Sequence, residues 1–157
     1  NYLSWNVNQH IPAYCGSCWA QASVGAMSDR INIKHKNLDR RFLSTQALIN
    51  CAVGTCAQGG DANDVYNYAF KNGIPEYACY NYSAMDPKKA ECSDFQKCMD
   101  CPGFGKGPCH EVRKYTAWKA KEFGRVKGAT NMKKEIWARG PIACSYFSTN
   151  KFYYGYK

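Results

Sequence analysis

The chain has 157 residues, 45% hydrophobic and 15% aromatic, with a formal net charge of +9. That apolar share supports one substantial core and excludes a disordered chain, while no apolar run approaches the ~20 residues needed to span a bilayer, so no membrane insertion is expected. The 21 Lys and Arg residues fall in short clusters such as Arg40-Arg41 and Lys133-Lys134, outside any nucleic-acid motif. They read as a solvated basic surface, and no nucleic-acid partner is expected.

Along the chain, Trp19 to about Lys34 mixes Ala22, Val24, Met27 and Ile31 with polar residues, as on a largely buried helix whose first turn holds Cys18. A second helix is expected over Ser44 to Cys51, with Ser44 as N-cap. A third begins at Asp61, places Val65, Tyr66, Ala69 and Phe70 on one face, and stops at Gly73 ahead of Pro75. From Cys79 to Cys109, both included, there are five cysteines and almost no periodicity, so a disulfide-tied loop region without regular structure is expected. A fourth helix fits Asn131 to Arg139, capped by Thr130 and ended by Gly140-Pro141. Ile142 to Phe147 then reads as a buried strand, in a sequence that ends too soon after it for a sheet to form.

Ten cysteines in a chain of this size point to an oxidising compartment, hence a lysosomal or secreted protein. The sequon Asn81-Tyr82-Ser83 makes Asn81 a candidate glycosylation site and agrees with that route. The opening residues Asn1-Tyr2-Leu3-Ser4-Trp5 have neither an initiator Met nor a signal-peptide profile, so a processed or partial product is expected.

The most informative stretch is Cys15-Gly16-Ser17-Cys18-Trp19, because it sets a cysteine at the start of a helix. Partial positive charge and unpaired N–H groups there favour the thiolate. A redox pair would follow a strand in a βαβ pattern, and nothing before Cys15 supplies one. A zinc site would need a second pair nearby, and Cys98-x-x-Cys101 lies about 80 positions on, against ~15–20 for zinc-binding pairs. No metal and no cofactor are expected. One structural cysteine, Cys15, and one nucleophile, Cys18, remain.

That pentapeptide is similar to the signature of the papain-like cysteine peptidases. Gln9 upstream, Leu43-Ser44-Thr45-Gln46-Ala47-Leu48-Ile49-Asn50-Cys51, Gly59-Gly60 and Gly140-Pro141-Ile142 also resemble family segments, in the family's order and over nearly the whole chain. Three extra residues between Gln9 and Cys15, in His10-Ile11-Pro12-Ala13-Tyr14, resemble the family's cathepsin X branch, as do Asp29-Arg30-Ile31-Asn32-Ile33-Lys34 and Gly73-Ile74-Pro75. The resemblance implies an α+β papain-like fold, with residues 1–128 as the helical left lobe and its cysteine-rich loops, and 129–157 entering a β-barrel right lobe.

It also implies a carboxypeptidase that removes single residues from peptide or protein C-termini. Cys18 would attack the scissile carbonyl, Gln9 and the Cys18 N–H would hold the oxyanion, His10 would bind the terminal carboxylate, and Gly59-Gly60 would pair with extended substrate. The implied disulfides are Cys15 with Cys56, Cys51 with Cys92, Cys79 with Cys98 and Cys101 with Cys109. Cys144 is left over, and its family partner lies in the second lobe. The three histidines are His10, His35 and His110. The family's catalytic His and Asn fall beyond Lys157, so the 157 residues are expected to be an inactive part of a longer enzyme. The competing expectation is a noncatalytic papain-like module within a larger assembly, against which the intact Cys18 and Gln9 weigh.

Overall fold

A computed structural model describes residues 2–36, 39–51, 53–88, 91–103 and 106–156. Helix α1 spans Cys18–Lys34, α2 Thr45–Asn50 and α3 Ala62–Lys71. They pack together around a core that includes Trp19, Val24, Leu48, Ile49, Val65 and Ile74. Helix α1 buries polar as well as apolar residues, so each buried polar group needs a partner. Ser23 donates to Trp19 O at 2.7 Å and Ser28 to Val24 O at 2.9 Å. The Asn32 side chain pairs with the Arg41 backbone through both its amide nitrogen, 3.1 Å, and its oxygen, 2.7 Å.

All six residues of α2 are buried. Ser44 caps it, accepting from Ala47 N at 3.1 Å and donating to Tyr80 O at 2.7 Å. Asp61 caps α3 through Asn63 N, and Gly73, at φ +80°, ends the chain's turn out of that helix. Only one residue without a Cβ fits there, since a Cβ on Gly73 would stand 2.9 Å from Ala117 Cβ. Strand β1, Ile74–Pro75, pairs antiparallel with β4, Ala117–Trp118. Glu76 ties the same seam, accepting from Trp118 Nε1 at 3.0 Å and Arg41 Nη1 at 2.9 Å.

Four disulfides form: Cys15–Cys56, Cys51–Cys92, Cys79–Cys98 and Cys101–Cys109, the pairs that the family resemblance implies. Tyr68 lies against the second, its hydroxyl 3.3 Å from Cys51 Sγ, and burial pushes its phenol up to about 12.

Between Cys79 and Cys109 the chain is more regular than its sequence pattern predicts. Helix α4, Asp94–Lys97, is closed by a capping box of Ser93 and Gln96, and β2, Met99–Asp100, pairs with β3, His110–Glu111. These pieces are too short to show a period, and the Ser-x-x-Gln box is the one local signal. Phe70 also departs from expectation: it is 48% exposed and contacts the Phe123 ring at 5.9 Å, while Val65 and Ala69 of the same helix are buried.

Helix α5 spans Ala129–Arg139, two residues longer at its start than expected. Gly128, at φ +81°, occupies the cap position, so Thr130 lies inside the first turn and caps nothing. Residues 142–147 form no strand among the described residues; a short helix α6, Asn150–Gly155, capped by Thr149, follows instead. A strand exists by pairing its backbone groups with a neighbour, and this segment has none.

An arginine of α1 ties α5 to the body. Arg30 of α1 donates to Pro141 O at 2.7 Å, to Gly140 O at 3.2 Å and to Glu135 Oε1 at 3.2 Å. The hydrogen bond from Arg139, and then that from Arg30, holds the Glu135 carboxyl below the usual carboxylate range. A depressed carboxylate contributes stability that is fully present above its unfolded value, about 4.3, and is lost as pH falls through the lower folded value. Hydrogen exchange at the α5 amides should therefore accelerate relative to α1 as pH drops below about 4, once intrinsic exchange is corrected for. A Glu135→Gln variant should show weaker α5 protection that no longer changes across that window.

Candidate active site

The start of α1 is fixed from three sides. Cys15 is fully buried and disulfide-bonded to Cys56, with Cα atoms 4.3 Å apart. Gly16 N donates to Cys56 O at 2.9 Å, and a Cβ on Gly16 would stand 2.9 Å from that same oxygen, so only glycine allows the two chains to approach. Ser17 is fully buried, and Trp19 is 6% exposed. Between these anchors Cys18, the first residue of the helix, is exposed and free of any disulfide. No hydrogen bond from the backbone N–H of Cys18 is found among the described residues. A thiol at a helix start, beside an unspent N–H donor, has the parts for nucleophilic attack and for holding the anion that forms.

The loop before Cys15 folds back on itself. His10 N donates to Asn8 Oδ1 at 2.9 Å, the Ile11–Pro12 peptide is cis, and the His10 ring stacks on Tyr14 with centroids 4.6 Å apart. Cys15 N donates to His10 Nδ1 at 3.3 Å. That bond makes Nδ1 the acceptor, so the hydrogen of the neutral ring sits on Nε2, and Nε2 is the donor the ring can offer a ligand. The Gln9 side-chain amide lies 3.3 Å from His10 Nε2; with the ring hydrogen on Nε2, the amide faces it through Oε1, which accepts, and keeps its NH2 free. Gln9 and His10 are thus brought together, next to the disulfide that begins the Cys18 helix.

Gly59 and Gly60 divide their tasks. Gly59, at φ +78°, has open space where a Cβ would be, whereas a Cβ on Gly60 would stand 2.7 Å from the Trp19 indole. Gly60, itself exposed, therefore lets the chain lie on Trp19, and Gly59 takes the positive φ that the turn requires. Thr55 and Gly59 exchange hydrogen bonds of 2.9 and 3.0 Å that close this turn.

His35 is the C-cap of α1, the far end of a 17-residue helix from Cys18, with its ring edge against Trp118 at 5.8 Å. His110 is exposed in β3, its Nε2 3.9 Å from Asp100. Neither is set beside the thiol. Asn81 is exposed, and Cys144 is a second free, exposed cysteine. Among the described residues no group of three or more His, Cys, Asp or Glu side chains could hold a metal. Among the described residues no helix is long and apolar enough to cross a membrane.

Two residues of this region escape a reading of the sequence. Tyr82 donates to Gln9 O at 2.6 Å and shares a 2.7 Å bond with Ser17 Oγ. Its only sequence signal is its place inside the sequon, which directs attention to Asn81. Ser17 stands at the N-cap position of α1, yet its side chain caps nothing.

The profile described as papain family cysteine protease matches residues 6–157, and the chain belongs to that family. It is 44% identical over 153 residues to cathepsin Z of Onchocerca volvulus, an alignment covering 97% of this chain and 48% of that protein. It is 26% identical over 153 residues to cathepsin B-like cysteine proteinase 3 of Caenorhabditis elegans, covering 90% of this chain and 41% of that one. Among solved structures, digestive procathepsin L 3 of the Tenebrio molitor larval midgut superposes with a TM-score of 0.50 at 25% identity, over 62% of this chain and 31% of that chain. The proform of a ragweed pollen allergen cysteine protease gives a TM-score of 0.51 at 26% identity, over 60% and 28%. The fold is α+β and papain-like, the resemblance runs to the cathepsin X or Z branch, and the chain spans less than half the length of these relatives.

The division of labour between the two glycines has a direct check. Gly60→Ala should lower stability by about 1–3 kcal/mol, the cost of overpacking a filled site, and shift the Trp19 fluorescence. Gly59→Ala should cost about 1–2 kcal/mol through backbone strain alone and leave that emission unchanged. Urea unfolding followed by tryptophan fluorescence reads both.

Proposed function

We propose that the full-length protein is a cysteine carboxypeptidase that removes residues one at a time from peptide or protein C-termini. The observation that carries this reading is the back-folded loop 8–15, which sets His10 and Gln9 together beside the disulfide that starts the Cys18 helix. The Cys18 thiolate adds to the scissile carbonyl carbon. Gln9 and the Cys18 N–H hold the oxyanion, and collapse of the tetrahedral species expels the C-terminal amino acid once its nitrogen has gained a proton. Water then adds to the acyl-enzyme and releases the shortened peptide and the thiolate.

The proton comes from a histidine outside residues 1–157, because His35 lies at the other end of α1 and His110 in the disulfide-tied region. The relatives' greater length agrees with this assignment, and with residues 129–157 leading into a second lobe that also pairs Cys144. By this account the 157 residues alone are inactive. His10 meets the substrate's terminal carboxylate through Nε2, which selects free C-termini and limits the cut to one residue. Four disulfides and the exposed sequon at Asn81 support a lysosomal or secreted glycoprotein. The basic surface needs no nucleic-acid or membrane partner in this scheme, and no metal or cofactor takes part.

Full-length enzyme should cleave a peptide with a free C-terminal carboxylate at least tenfold faster, in kcat/KM, than the same peptide amidated, as expected where a site built for a charged group loses its partner. His10→Ala should reduce that preference to about twofold or less, mainly by raising KM for the free acid. Equal cleavage of acid and amide by the unsubstituted enzyme would remove His10 from its role. Failure of a thiol-directed epoxide to label Cys18 would remove the nucleophile.

A further inference from the structure

We propose that Tyr82 is a positioning residue for the oxyanion hole, joining the two elements that provide its donors; this rests on the roles assigned above to Cys18 and Gln9. Gln9 belongs to no helix or strand; Cys15 N ties His10 to the start of α1, and among the described residues the bond from Tyr82 to Gln9 O is the one hydrogen bond linking residues 9–14 to a segment distant in sequence. The His10 bond holds the loop at that residue and leaves the Gln9 backbone to be fixed separately. Tyr82 fixes it.

The direction of each bond follows from hydrogen counting. A phenol has one hydrogen, and that of Tyr82 goes to Gln9 O at 2.6 Å, so Ser17 must be the donor in the 2.7 Å bond to the Tyr82 oxygen. The chain runs Ser17 Oγ–H to Tyr82 Oη–H to Gln9 C=O, and each donor polarises the next. At one end is the residue that bears the oxyanion amide. At the other is the residue directly before Cys18, itself fully buried.

The diverted serine matters in a second way. At an N-cap a serine hydroxyl ordinarily accepts from a first-turn N–H, but Ser17 makes no such bond. The positive end of α1 is left unspent for the thiolate and the oxyanion. The phenol is itself held firmly. Tyr82 packs against the core, Ser83 N donates to Gln46 Oε1 at 3.0 Å, and Tyr80 O accepts from Ser44 Oγ at 2.7 Å, so the backbone on both sides of Tyr82 is bonded to helix α2 or its cap. The rigidity of the buried α2 thus reaches a loop that has none of its own.

The test is a set of single and double variants of the full-length enzyme. Tyr82→Phe keeps the ring and removes the hydroxyl. It should lower kcat about tenfold with KM changed less than twofold, and weaken the binding of a peptide aldehyde, which forms an oxyanion at Cys18, by a similar factor. The rate at which iodoacetamide alkylates Cys18, a reaction that builds no oxyanion, should stay within twofold. In a Gln9→Ala background Tyr82→Phe should change kcat less than twofold, because the donor it positions is already gone. A tenfold loss in both backgrounds, or an alkylation rate that falls with kcat, would show that Tyr82 supports the fold or the thiol instead, and would overturn the proposal. If Tyr82→Phe does not accumulate, Ser17→Ala removes only the far link: a loss of about threefold in kcat that vanishes in Gln9→Ala supports the chain, and unchanged kcat overturns it. Should the peptidase reading itself be wrong, the unsubstituted protein would neither cleave peptides nor bind the aldehyde, an outcome distinct from any of these.

Discussion

The buried bond between Cys15 and Cys56, with the Gly16 N–H to Cys56 O hydrogen bond beside it, fixes the place from which α1 starts. Everything near the candidate site is measured from that point. The bridge spans 41 residues of sequence, for which a chain-entropy estimate gives ~4 kcal/mol by restricting the unfolded chain. Its position matters as much as its energy. The turn bearing Gly59 and Gly60 reaches Trp19 only because Cys56 is joined to Cys15, and Cys56 N is in turn held by Asp86 Oδ1 at 2.7 Å. Cys18, the glycine turn and the loop around residue 86 are thereby registered on one covalent link.

The body behind the site is held by polar side chains in buried positions as much as by apolar contact. Gln46, almost fully buried, donates to Asn50 Oδ1 and Met85 O and accepts from Ser83 N, while Asn50 donates to Gln96 O. Helix α2 therefore acts as a spine to which the irregular segments on either side are bonded. An apolar residue at position 46 would fill the space but leave the backbone groups of residues 83 and 85 without partners, which costs more than the contact returns. Those segments have few apolar residues of their own, and the bonds to α2, together with the disulfides, give them a single conformation.

The sequence made the helices legible where period and cap agree. Ser44 and Asp61 cap α2 and α3 as their types suggest, and Gly73 ends α3 because a positive φ is needed there. The helix that begins at Cys18 is legible for the same local reason. What escaped reading is long-range. Nothing in the order of residues says that Tyr82 reaches Gln9, or that Ser17, at the N-cap position of α1, turns to the phenol, because both bonds join positions that are far apart in sequence and meet only through α2 and the first disulfide. Phe70 fails for a related reason: a helical face predicts which residues align, and only the neighbours decide how far along the face burial extends. The glycine pair shows a middle case, where the residue type was informative but its two members serve different neighbours.

The region after residue 128 follows from the same distinction between propensity and partnership. Ile142 to Phe147 has the composition of a strand, and the backbone there is extended enough to carry no helix, yet no ladder forms among the described residues. Propensity makes an extended conformation cheap; only a neighbouring strand supplies the hydrogen bonds that make it a sheet. Arg30 shows what is needed to fix such a segment. Its guanidinium meets two backbone oxygens and the Glu135 carboxylate at once, which ties the chain at Gly140 and Pro141 to α1. Beyond it, Tyr146 and Phe147 are exposed, as are Tyr153 and Tyr154 of α6. Helix α6 exists despite this because a helix completes its hydrogen bonds within itself, with Thr149 closing its first turn, whereas a strand of the same length cannot. The chain after Arg30's acceptors is thus helical where it can satisfy itself and, among the described residues, without a strand partner where it cannot.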